Sequence, residues 1–352
     1  MELTREDTQK AKGVAILGMV MLHLFCRLDD LPYTPWIWIG ETPLVYYLGL
    51  FGDFCVPIYC FCSGYAHYLL KEKYRGDYCK MIPKKLVGFL CNYWIVVALF
   101  TLIGALTGNG SEIPGSVSAF LGNVFLYRLS YNGAWWFVIT YILLLVFSPV
   151  FIRIIDHMCP TLLLGLSGTL YTIAYLFRFK LTLDISDPVL AWLWLQLILL
   201  GTSQLAYLIG MVFRKERWIS VLRKAVLCEY GSTNRNSVVQ MLVLSGPLVA
   251  FVAHCVVQSL VVAPVTAVLV LVFLFCVKLP DAVDHFLLLM GKHSTNIWLV
   301  HMFFYLTLFD GFVFVAKYPL FIFVLMMALC LFVSWVIKQG TMIVSSCLKQ
   351  IV

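Results

Sequence analysis

The chain has 352 residues, 62% of them hydrophobic and 12% charged, with a formal net charge of +7 and a mean hydropathy of +0.92. A soluble domain carries roughly twice that charged fraction, so the composition excludes a soluble globular protein. The positive balance does not point to nucleic acid, because the Lys and Arg residues sit in the segments between apolar runs. Those runs are too long and continuous for barrel strands, which alternate over about ten residues. The expected fold class is an all-α polytopic membrane protein with about ten transmembrane helices. No polar stretch exceeds about thirty residues, so one integral-membrane domain over 1–352 is expected, without a soluble extracytoplasmic domain. No small-residue cleavage site closes the first apolar run, so no signal peptide is expected.

In chain order the spans are expected at about 13–28, 44–70, 86–107, 134–152, 161–179 and 189–213. The apolar run 238–277 is too long for one crossing and divides near His254 to Ser259. The last two spans are expected at about 294–309 and 319–337, with an amphipathic tail beyond. With the N-terminus inside, the inner segments hold twenty basic residues, Arg75, Arg235 and Lys349 among them. The outer segments hold only five, Arg27, Arg128, Arg178, Lys180 and Lys317. This is the positive-inside asymmetry, and it predicts both termini on the cytoplasmic side.

The first span opens with KGVAILGMVMLH, Lys12 to His23. Eleven helical steps return to within about 20° of the start and rise roughly 16 Å, so both side chains share one face. Lys12 is expected at the membrane surface and His23 near mid-depth, where an ionisable group is a functional candidate by default. Asp53 in the second span and His301 in the ninth are expected roughly 14 Å and 10 Å from the edges of theirs. The three could meet in a central layer, where a carboxylate beside a histidine suits general-base chemistry. The competing reading is a polar cluster that holds helices together. His254, near the outer turn, is read as structural. Lys12, Lys84 and Lys85 either form an inner cationic mouth for a phosphorylated donor or only set topology. Trp36, Trp38, Trp135 and Trp136 are either interfacial anchors or platforms for a sugar. The twelve Cys residues show no zinc-site spacing and read as packing residues, so no metal is expected. At this level an enzyme and a carrier both remain open.

Four places resemble the acyltransferase type 3 family, integral-membrane enzymes that O-acylate surface carbohydrates. The first is the spacing of Lys12 and His23, where the family has an arginine, ten residues and a histidine. The second is GDFCVPIYCFCSGY, from Gly52 to Tyr65, and the third is the Trp-rich NGAWWFVITYILLLVFSPVF, from Asn132 to Phe151. The fourth is LMGKHSTNIWLVH, from Leu289 to His301. Their order extends the resemblance over nearly the whole chain. It implies transfer of an acyl group, usually acetyl from cytoplasmic acetyl-CoA, to a hydroxyl of a cell-surface or lipid-linked glycan. The setting implied is a bacterial plasma membrane, with a separate cell-envelope protein as a partner where one is needed. His23 matches the family's essential histidine, and Asp53 or His301 would orient or charge it. Lys12 would receive the donor phosphates, with Lys84 and Lys85 standing where the family has arginines. Lysine keeps the charge and loses the bidentate fork. The runner-up is a carrier or flippase for a glycan or lipid, and a third reading is a non-catalytic relative that only binds glycan.

Overall fold

The computed structural model describes residues 2–226 and 237–351. Arg235, counted above among the inner basic residues, lies outside the described residues, as do the side chains of Arg75 and Lys349. The helices in chain order are α1 (Arg5–Phe25), α2 (Leu44–Phe51), α3 (Cys55–Tyr74), α4 (Tyr78–Leu106), α5 (Val117–Val124), α6 (Trp136–Val146) and α7 (Ser148–His157). They continue with α8 (Pro160–Phe179), α9 (Pro188–Lys215), α10 (Trp218–Val226), α11 (Ser237–Val257), α12 (Ala263–Cys276), α13 (Asp281–Val300) and α14 (Pro319–Ile351). A short ribbon in the loop between α1 and α2 pairs β1 (Trp38–Ile39) with β2 (Thr42–Pro43) in antiparallel register.

Each expected span has a helical counterpart, but fewer meet the length and apolarity that a crossing needs. Among the described residues six segments do: Leu44–Tyr74, Tyr78–Leu106, Pro160–Phe179, Pro188–Lys215, Ser237–Val257 and Pro319–Met342. The pair α6 and α7, bent by 53°, makes a seventh if taken as one broken span. The expectation of about ten therefore reduces to six or seven by this measure. The shortfall falls on α1, α12 and α13. α12 is short, and α1 and α13 both begin with charged turns.

α1 starts at Arg5 rather than at 13 because Thr4 caps it. Thr4 Oγ1 accepts from the Asp7 amide at 3.1 Å, and Asp7 accepts from the Thr4 amide at 2.9 Å. Asp7 also accepts from Arg223 at 3.1 Å, which ties α1 to α10. Burial alone would raise the Asp7 carboxyl, but the Thr4 amide and the Arg223 guanidinium outweigh it and hold it below its ordinary value. The contribution of this tie is whole above the ordinary value, 3.8, and is lost as acid protonates the folded carboxyl. With the helix starting here, Lys12 lies about 10 Å along α1 and His23 falls in its last turn. The expected places of the two, at the foot and the middle of the helix, thus shift outward by about two turns.

Small residues let the central helices touch backbone to backbone, the packing that membrane helices use in place of a hydrophobic drive. In α1 and α13, Gly13 lies on the Leu287 carbonyl and Gly291 on the Gln9 carbonyl. In α3 and α9, Gly64 lies on the Tyr207 carbonyl and Gly210 on the Phe61 carbonyl. Gly64→Val should therefore lower the melting temperature of the purified protein, at a cost of about 1–3 kcal/mol or more from overpacking. Gly88 in α4 has open space around it. Gly88→Ala should leave the temperature unchanged or raise it slightly, and equal behaviour of the two variants would contradict this packing.

Candidate active site

A helix leaves its last carbonyls without intrahelical partners, and the end of α13 uses them to build a site. The Leu299 carbonyl accepts from Asn132 Nδ2 at 3.0 Å and from Trp135 Nε1 at 2.9 Å. In return Trp298 Nε1 donates to the Ala134 carbonyl at 3.0 Å. The Trp-rich motif and the late motif are thereby stitched together. The Trp298 carbonyl faces His301 Nδ1 at 2.8 Å, and the Ile297 carbonyl faces it at 3.2 Å. A carbonyl only accepts, so His301 carries its proton on Nδ1 and presents Nε2 as an acceptor.

His301 Nε2 lies 2.6 Å from His23 Nδ1. The same reasoning makes His23 the donor, with its proton on Nδ1, and leaves His23 Nε2 as a bare lone pair. The ring planes are within 10° of each other. His301 is fully buried, whereas His23 lines a cavity of about 220 Å³. Asp53, Trp136, Arg178 and Trp298 also line it.

The expected triad does not form. Asp53 stands in the single turn Gly52–Phe54 that interrupts the second expected span between α2 and α3. Its Oδ1 lies 2.8 Å from Nε2 of His254, on α11. His254 Nδ1 faces the Ala250 carbonyl at 3.0 Å and Thr266 Oγ1 at 3.3 Å. Asp53 and His254 are both buried and balance each other's charge, whichever of them holds the proton. Asp53 is thus the partner of His254 and not of His23, although it shares the cavity with His23. Its Oδ2 is buried without a hydrogen-bond partner. His254, read as structural, is a constituent of this wall. An ion-pair partner 201 residues away leaves no trace in local spacing.

The four tryptophans separate. Trp136 lines the cavity. Trp135 is fully buried between Tyr93 and Phe303, so the expected sugar contact is corrected to a packing role. Trp36 and Trp38 are exposed in the loop between α1 and α2, with Trp36 against Tyr318 and Phe321, and neither lines the cavity. The lysines separate too. Lys12 and Lys85 lie within electrostatic reach of each other and of His67, while Lys84 is exposed. No carboxylate pairs with Lys12 or Lys85 among the described residues. Neighbouring bases are paired: Lys10 with Asp284 at 3.2 Å, Lys71 with Asp156 at 2.8 Å and Arg214 with Glu72 at 2.7 Å. None of the three lysines lines the cavity at His23. Among the described residues no three His, Cys, Asp or Glu side chains are grouped to hold a metal ion.

The tautomers can be checked directly. In ¹⁵N-histidine spectra His23 and His301 should both show the Nδ1–H form, and His301→Ala should release His23 to a mixture of tautomers. An Nε2–H signal for His23 in the unaltered protein would contradict the dyad.

No curated protein and no solved structure matches the chain. A family model described as an acyltransferase domain does, over residues 11–339. That match takes in both histidines of the dyad, the Asp53–His254 pair and the Trp-rich motif, and the chain accordingly belongs to the acyltransferase type 3 family of membrane acyltransferases.

Proposed function

We propose that the protein is an O-acyltransferase of a bacterial plasma membrane. It moves an acyl group, acetyl first among the candidates, from cytoplasmic acyl-CoA to a hydroxyl of a cell-surface or lipid-linked glycan. The observation that carries this reading is the His23–His301 dyad, with a bare Nε2 at the wall of a cavity. The family supplies acyl transfer in general. The donor, the acetyl group and the acceptor are the proposal. Both termini lie on the cytoplasmic side in this reading, in line with the charge asymmetry of the loops.

In the proposed reaction, His23 Nε2 takes the proton of the acceptor hydroxyl as the oxygen attacks the thioester carbonyl. The tetrahedral adduct collapses with cleavage of the C–S bond, and the His23 imidazolium returns its proton to the departing sulfur. An ester and free CoA thiol result. His301 accepts from His23 Nδ1–H throughout, holding the ring in place and steadying the imidazolium while it exists. Asp53, buried and paired with His254, backs the cavity wall beside His23. A volume of about 220 Å³ equals that of about seven waters, room for one sugar ring. Lys12 and Lys85, two cations with no carboxylate between them, suit the phosphates of CoA. Roughly 16 Å of α1 separates Lys12 from His23, a span that the extended pantetheine arm can cover.

In vesicles supplied with acetyl-CoA and a glycan acceptor, the protein should release thiol in proportion to the ester formed. His23→Ala should cut that rate by about 10²–10⁴, the usual worth of a general base, without loss of folded protein. His301→Gln, which can still accept a hydrogen bond, should retain more activity than His301→Ala. Unchanged O-acetyl content in surface glycans of cells carrying only His23→Ala would overturn the role of His23. Glycan movement without thiol release would instead identify a carrier.

A further inference from the structure

The cavity at His23 holds a cation that the acyl-transfer chemistry does not use. Arg178, in the last turn of α8, lines it together with His23 and Asp53. Its guanidinium lies 4.6 Å from the ring centre of Trp136 and 5.0 Å from that of Phe179. One N–H donates to Thr202 Oγ1 at 3.1 Å. No carboxylate lies within ion-pair distance among the described residues. The acid nearest at hand by chemistry, Asp53, is already balanced by His254. Arginine keeps its charge and offers five donors in a planar fork. A guanidinium at a cavity wall with one donor used is therefore a receptor for an oxyanion.

Arg178 also lines a groove of about 370 Å³ that includes Lys180 and the segment between α8 and α9. The two acids of that segment line neither space. Asp187 caps α9, accepting from the Val189 and Leu190 amides at 2.9 and 2.8 Å. Arg178 and Phe179 thus line both the groove and the cavity, and Lys180 lines the groove.

We infer that Arg178 binds an oxyanion on the acceptor, a sugar carboxylate or a phosphate carried by the glycan, so that the cavity selects acidic acceptors. The inference rests on the proposed acyl transfer for its biological meaning, but binding tests it without catalysis. The purified protein is titrated with methyl glucuronide, with its neutral methyl ester and with glucose 1-phosphate. At least one of the two anions should bind ten-fold or more tighter than the neutral ester, and which one does identifies carboxylate or phosphate as the source. Arg178→Gln should remove that preference, and Arg178→Lys, which keeps charge without the fork, should keep part of it. His23→Ala should still bind the anion. The unliganded melting temperature of each variant shows whether it is folded. Equal binding of the anions and the ester, or full anion preference in a folded Arg178→Gln protein, would overturn the inference. A protein that binds anions selectively yet releases no thiol would keep the inference and lose the acyltransferase reading.

Discussion

The free carbonyl of Trp298, left over where α13 ends, accepts a hydrogen bond from His301 Nδ1–H, and the chemistry of the site follows from that bond. It sets one tautomer, which sets the next, and the result is an imidazole nitrogen of His23 with no proton and no protein partner. A single neutral histidine at the same place could hold its proton on either nitrogen. Here a backbone atom makes the choice, and the backbone is itself braced by Asn132 and Trp135 on the neighbouring carbonyl. The Trp-rich motif therefore acts on the site mainly from behind, through the geometry of a helix end.

The second pair works by a different principle. Asp53 and His254 neutralise each other in a buried setting where a lone carboxylate would be costly. Asp53 stands beside the cavity where the helix is broken at Gly52–Phe54, and irregular backbone at membrane depth is tolerated where it borders a cavity. With this pair neutral and the histidine dyad uncharged at rest, Arg178 sets the sign of the space they share.

Much of this was legible in the sequence, and what was not has physical causes. Most helices lie where the apolar runs put them, because each run must satisfy its backbone polar groups within itself, but the ninth does not: α13 covers Asp281–Val300 rather than 294–309. The approach of His23 to His301 was within reach of depth estimates, since both were expected in one central layer. The partner of Asp53 was not, because depth says nothing about which helices are neighbours. Trp135 and Trp136 are adjacent and chemically identical, yet one is sealed in the core and the other lines the cavity. Only the direction of the helix entry at Asn132 decides between them. Arg178 was hidden by its second use: an arginine at the outer end of a span is expected for topology alone. Lys84 and Lys85 are neighbours in sequence too, and α4 turns just one of them towards Lys12.

Lys12 and His23 belong to one uninterrupted helix. No hinge or loop lies between them, and α1 is pinned to α13 by backbone contact at Gly13 and Gly291. The ten residues between the two ends behave as a ruler with a fixed phase. Adding one residue would lengthen it by only about 1.5 Å but would turn the imidazole by about 100°, away from His301 and the cavity. Evolution can exchange the side chains along this stretch far more easily than it can change their number.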